Sequence, residues 1–195
     1  MTSVIARRDE TLDAAIRLLG TSGSRGLTHR GVDREAGLPV GSTSNNFRSR
    51  AALITGILDR MEQLDYQDWA QQTERQAVQT AAQLVDALTE LVVLAGSRDR
   101  VRTQARYALF VEAAVAGDDS PVSASIRRSR GNLLRWAADI LAGLGVPSAD
   151  QGAELMVDYL DGLILHQLTG TATGSHALHA GIERMITGLG QGQDR

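Results

Sequence analysis

The chain has no cysteine and no lysine, only three prolines, and few aromatics: two Trp, three Tyr and two Phe. Without cysteine there are no disulfides, thiolate metal sites or cysteine nucleophiles. Aromatic content of 4% forces a core built mainly from Ala, Leu, Val and Ile, which a hydrophobic content of 43% can fill. No apolar run approaches the roughly 18–20 residues that span a bilayer. Charge arrives at once in Arg7, Arg8, Asp9 and Glu10, so the N-terminus lacks the apolar middle of a signal peptide. The expectation is a soluble cytoplasmic protein with no membrane partner. That every basic residue is Arg reads as genomic composition and carries no functional argument.

Catalytic fingerprints are missing too. There is no Ser-centred elbow, phosphate loop or dinucleotide glycine motif. Of the four His, His176 and His179 stand at i, i+3, but no third ligand for a metal is evident. No metal and no cofactor are expected, and an enzyme is the weakest of the function classes.

The net charge of −3 is unevenly spread. Residues 1–50 hold eight Arg against five acids, a net of +3, while the other 145 residues hold twelve Arg against eighteen acids, a net of −6. A basic head on an acidic body suits a nucleic-acid-binding module carried on a regulatory one; a solvated surface of uneven charge is the alternative.

Hydrophobic periodicity is helical throughout, and no strand signal appears, so the expected fold class is all-α. Leu12, Ala15, Ile16 and Leu19 give a first helix from about Ser3 to Leu19, then broken by Gly20, Ser22, Gly23, Ser24 and Gly26. Thr28 caps a second, His29 to Ala36, stopped by Gly37. Val40 to Phe47 form a third, and Ser49 caps a fourth with Leu53, Ile54, Ile57, Leu58 and Met61 inward. Further helices are expected over Ala77–Ala95, Arg98–Ala116 and from Ser120-Pro121 to about Leu144. Ser148 with Gln151 makes a capping box for a helix to about Leu168, and Ser175 caps the last, to about Leu189. The expected domains are 1–50 (with a linking helix over 50–70), 62–189, and a flexible tail over 190–195.

Leu27 to Leu53 is the informative stretch: a short helix, a turn containing Gly37, then a second short helix. That is the helix-turn-helix pattern, whose second helix lies in the major groove. Here the second helix reads Gly41-Ser42-Thr43-Ser44-Asn45-Asn46, poor in apolar content and in helix propensity. A helix needed only for packing would not be built this way. Its side chains can bond base edges and phosphate oxygens, with Phe47 as the apolar anchor. Arg48 and Arg50, at the start of the next helix, are placed to meet phosphate. The candidate DNA-binding set is Thr28, His29, Arg30, Val40, Gly41, Ser42, Thr43, Ser44, Asn45, Asn46, Phe47, Arg48 and Arg50. A polar surface loop is the competing reading of 41–46.

From Arg7 to Met61 the chain resembles the TetR family of bacterial regulators. The resemblance rests on the Arg-led first helix, Leu27-Thr28, Val32 to Gly37, the Gly-Ser/Thr recognition helix closed by Phe47, Ser49-Arg50 and Ala52-Leu53. Three positions depart from the pattern: Pro39 where a Ser or Thr cap is common, Asp33 for a small residue, and Asn46 for a phosphate-binding Tyr. They bear on operator preference, not on the fold. The resemblance implies an N-terminal three-helix DNA-binding domain and a C-terminal ligand-binding and dimerisation domain. It also implies an Ω-shaped homodimer that represses from a double-stranded DNA operator until an unknown small-molecule effector binds. A helical adaptor that kept the fold without DNA binding is the alternative.

Beyond residue 62 only apolar stripes and isolated polar groups can be read. Leu160, Leu163, Ile164 and Leu168, with Leu178, Ile182, Met185, Ile186 and Leu189, are candidates for a dimer interface, Gly181 permitting close approach; burial within one subunit is the alternative. Tyr107, Phe110, Trp136, Tyr159 and His166 are leads for a ligand site.

Overall fold

The computed structural model describes residues 2–75, 78–171 and 174–190. Among them lie nine helices and no strand: α1 Thr2–Gly26, α2 His29–Glu35, α3 Ser42–Asn46, α4 Arg50–Arg75, α5 Ala81–Gly96, α6 Arg100–Ala116, α7 Pro121–Gly143, α8 Ala149–Thr169 and α9 Ser175–Gly190. The chain divides into two units: 1–66 with 101–129, and 67–100 with 130–195. The expected domains follow chain order, whereas α6 and the first residues of α7 pack into the unit that holds the helix-turn-helix.

The first unit is organised by stripes visible in the sequence. Leu12, Ala15, Ile16 and Leu19 of α1 are buried with Leu53, Ile54, Ile57, Leu58 and Met61 of α4, and with Ala105 and Leu109 of α6. Each such Leu or Ile contributes about 1.5–3 kcal/mol by leaving water. Arg60 of α4 clasps α1 through Asp13 at 2.8 Å and Asp9 at 3.3 Å. Of the residues expected to break this helix, Gly20 does not. A Cβ on Gly20 would run into the carbonyl oxygen of Val101, so this glycine serves close packing on α6 and the helix continues. The helical path is interrupted at Gly23, another of the expected breakers, whose φ of 67° only glycine adopts easily.

In the second unit α5 packs on α8 and α9. Its core takes Leu84, Val85, Leu88 and Val92 from α5, and Met156, Val157 and Leu160 from α8. The residues expected to offer a dimer face are largely core as well. Leu160, Ile164, Leu178, Ile182 and Ile186 are buried, and Leu163, Leu168, Met185 and Leu189 are half-buried. Periodicity marks the face of a helix that is covered, not what covers it, and here α5 contributes the cover. Gly181 likewise accommodates its own chain, since a Cβ there would lie 2.6 Å from the Tyr159 hydroxyl.

Several expected caps form. Thr28, Ser49 and Ser120 accept from the backbone N–H of Gly31, Ala52 and Ser123. The capping box at Ser148 does not: its backbone is left-handed (φ 52°) and its side chain makes no cap bond. Thr80, rather than Ala77, starts α5; Ala77 and tail residues 191–195 lie outside the described residues, and Gly190 closes α9.

Candidate nucleic-acid interface

The turn between α2 and α3 begins as the sequence dictates. Ala36 ends α2, and Gly37 takes the left-handed conformation (φ 65°) that reverses the chain. The start of α3 is less ordinary. Gly41 stands at its N-cap with φ 96°, so the helix begins at Ser42 rather than Val40, and Gly41 has no side chain to cap it. Val40 is 80% exposed in the turn.

Asp33, one helix away, completes that start. Its Oδ2 accepts from Gly41 N at 2.8 Å, and its Oδ1 accepts from Thr43 N at 2.8 Å and Thr43 Oγ1 at 2.6 Å. Asp33 and Thr43 are both buried. Burial alone would push the Asp33 carboxyl up, but bonds from the Thr43 side chain, Thr43 N and Gly41 N, with the nearby His29, hold it below its ordinary value. Sequence reasoning noted Asp33 only as a departure. The available signal was a carboxylate on the inward face of α2, which has to find donors.

The other end of α3 is held by its neighbours. His29 Nε2 donates to the carbonyl oxygen of Phe47 at 2.7 Å. Phe47 is buried, and the Arg8 guanidinium lies 5.4 Å above its ring centroid. Between these fixed ends Ser44, Asn45 and Asn46 are exposed, while Ser42 is half-buried and bonds the Pro39 carbonyl at 2.6 Å. Asn46 Nδ2 donates to Ser42 O at 3.2 Å; Asn45 makes no side-chain hydrogen bond among the described residues. Arg30 and Arg48 are exposed beside them, and Thr28 caps α2.

Arg50 is differently occupied. Its Nη1 donates to Leu27 O at 2.6 Å and its Nη2 to Ser24 O at 3.0 Å. Nε and Nη2 bind both oxygens of Glu112 on α6, at 3.1 and 2.8 Å. The hydroxyl of Ser24 donates to the same carboxylate. Burial raises the Glu112 pKa, but the bonds from Arg50 and Ser24 outweigh it and leave the carboxyl below its ordinary value. Arg50 is thus a clamp joining the end of α1, the start of α4 and α6. Glu112, 62 residues away, carries no local signal that would have revealed it.

The ligand leads fall into both units. Tyr107 and Phe110 form an edge-on pair with centroids 5.6 Å apart in the first. In the second, Trp136 meets Trp69 edge-on at 5.0 Å, and the exposed His166 bonds Thr171 at 2.8 Å. His179 pairs with Asp86 at 3.1 Å, and no group of three or more metal-ligating side chains occurs among the described residues. Among the described residues no helix is long and apolar enough to cross a membrane.

Residues 79–192 match the family described as "Tetracyclin repressor-like, C-terminal domain". No curated protein matches the chain. Among solved structures it is similar to a TetR-family member from Streptomyces coelicolor A3, at 27% identity and a TM-score of 0.68 over 92% of this chain and 98% of that one. It is similar to the multidrug binding protein EbrR complexed with imidazole, at 26% identity and a TM-score of 0.66 over 92% and 94%. A transcriptional regulator from Rhodococcus sp. Rha1, at 24% identity, shares the fold with a TM-score of 0.72 over 96% and 98%. With more than half its length matched and a helix-turn-helix at its head, this chain belongs to the TetR family of bacterial transcriptional regulators.

Proposed function

We propose that the chain is a homodimeric, sequence-specific repressor, released from a double-stranded DNA operator by a small-molecule effector. The observation that carries this is the division of α3 into a buried anchor, Thr43, and an exposed polar face, Ser44, Asn45 and Asn46. Such side chains read base edges, and Asn pairs bidentately with adenine. Arg30 and Arg48 are the proposed phosphate contacts, because the Arg50 donors are engaged within the protein. The test is titration of the full chain against a duplex enriched from a random library and against its scrambled counterpart, at several salt concentrations. Preference for the enriched duplex, with affinity falling as salt rises, is expected. Equal affinity for both would overturn sequence-specific binding.

A second copy of the chain is the proposed occupant of the outer face of α8. Leu155 (61% exposed), Tyr159, Gly162 and Leu165 (44%) are exposed there. They fall within about 120° of arc at roughly 100° per residue, a stripe that a two-fold partner would cover with its own copy. Leu155→Arg should convert a dimer into a folded monomer in sedimentation; an unchanged dimer would move the interface off this stripe.

For the effector, support comes from EbrR, solved with imidazole, ethidium and proflavin. An organic ring compound is the proposed class, with Trp136, Tyr159 and His166 of the second unit as candidate contacts. A coupling of about 1–3 kcal/mol would change operator affinity roughly 5–150-fold.

A further inference from the structure

We propose that Asp33 is the residue that positions the recognition helix, capping α3 from the neighbouring helix and so setting which of its side chains face the base edges. This rests on the DNA-binding reading above. A five-residue helix has little of its own to hold its start in place, although its far end is held through Phe47 and His29. Its few backbone bonds cannot fix its rotation, and a short helix is marginal without a cap or tertiary anchors. The usual local devices are missing: Gly41 has no side chain, and Pro39, three residues before Ser42, has no oxygen on its ring.

Asp33 replaces them through space. One carboxylate oxygen takes the N–H of Gly41, and the other takes both the N–H and the hydroxyl of Thr43. Three donors on one acceptor group leave the segment 41–43 a single rotational setting about α2. Because hydrogen bonds weaken steeply off-axis, a turn of one residue, about 100°, would break them all. That setting puts Thr43 inside, at 0% exposure, and leaves Ser44, Asn45 and Asn46 outside. The carboxylate itself is buried, so its negative charge helps the helix start without standing open beside DNA. Asp33 thus acts through α3 and is a positioning residue.

The test uses the full chain with Asp33→Asn and Asp33→Ala. Asn keeps the shape and one acceptor oxygen, so it guards against a variant that fails to fold. Amide hydrogen exchange at Gly41 and Thr43, measured without DNA, should speed up about tenfold or more in Asp33→Ala, with less change in Asp33→Asn. Parent and variants are then titrated against the duplex that the parent enriches from a random library and against its scrambled counterpart. Expected is a loss of about tenfold in the ratio of the two affinities, with the salt slope unchanged, because no phosphate contact is removed. A variant weakened on both duplexes alike has lost structure rather than position, and that result would overturn the proposal, as would unchanged exchange at Gly41 and Thr43. If the parent itself preferred no duplex, the DNA-binding reading would fall and the claim about base edges with it. The exchange data would still decide the cap.

Discussion

The two units bury different things. Among the described residues Thr11, Asp33, Thr43, Thr103, Ser123 and Ser125 are the polar side chains in the interior, and all belong to the first unit. Among the described residues of the second unit the buried side chains are apolar, from Leu84 through Leu141 to Ile186. No buried polar side-chain atom among the described residues lacks a partner. Ser123 bonds Gly117 O at 2.7 Å, and Ser125 meets Thr55 at 2.9 Å. Hydrogen bonds are directional, so a satisfied polar interior holds in one arrangement and fails in others. An apolar interior accepts many arrangements of equal volume at small cost. A part that must present side chains to base edges at fixed angles suits the first kind. A part that admits a small molecule suits the second.

The largest expected effect breaks this comparison if it is wrong. Asp33→Leu and Ile182→Leu both place leucine in an interior, one in each unit. In the first unit the change strands the N–H and hydroxyl of Thr43, at a cost of about 3–5 kcal/mol. In the second it is a swap of equal volume, at a cost of less than about 1.5 kcal/mol. Urea denaturation monitored by helical circular dichroism gives both numbers. Equal costs would mean that the two interiors do not differ in kind.

What could be read in the sequence follows the same division. The inward stripes of α1 and α4 were legible because Leu12 to Leu19 and Leu53 to Met61 need only face somewhere apolar. The caps at Thr28, Ser49 and Ser120 are local, joining residues three apart. Polar partners across space were not legible: Asp33 reaches Thr43 ten residues on, and Arg50 reaches Glu112 after 62. The stripes of α8 and α9 were legible as covered faces, but period alone cannot separate α5 of the same chain, which packs on both, from a second copy. At Gly20 the sequence offers a helix breaker, and only the nearness of Val101 shows a packing contact.

Within the head, the comparison narrows to its outer face. Asn45 is exposed in the last turn of α3 and Arg48 just beyond it. Asn45→Ala should cost about 1–3 kcal/mol on the preferred duplex and much less on its scrambled counterpart. Arg48→Ala should weaken both about equally and lower the salt slope by roughly one counterion. If Arg48→Ala changed sequence preference while Asn45→Ala changed only the slope, the orientation of α3 toward the groove would be wrong.

The smallest expected effect concerns an ion pair in each unit. Glu112 with Arg50 is half-buried and shares its carboxylate with Ser24. Asp158 with Arg130 stands in water, its side chain 66% exposed. Exposed pairs contribute little, so Asp158→Asn should leave stability at neutral pH essentially unchanged. Glu112→Gln should lose about 1 kcal/mol at neutral pH, reduced from the usual charged hydrogen bond because Arg50 is itself 41% exposed. The pH dependence tests the Glu112 pair further. The folded Glu112 carboxyl ionises below its ordinary value of 4.5, so on acidification the unfolded chain takes up the proton first. Its contribution is therefore whole above about 4.5 and disappears as pH falls through the folded value. The gap in stability between parent and Glu112→Gln should close over that range. The parent curve alone would not show this, because Asp33 is also held below its ordinary value and loses its contribution in acid as well. The difference between the two proteins cancels Asp33. A gap that stayed constant from neutral pH into acid would mean that the Glu112 charge is not what holds Arg50.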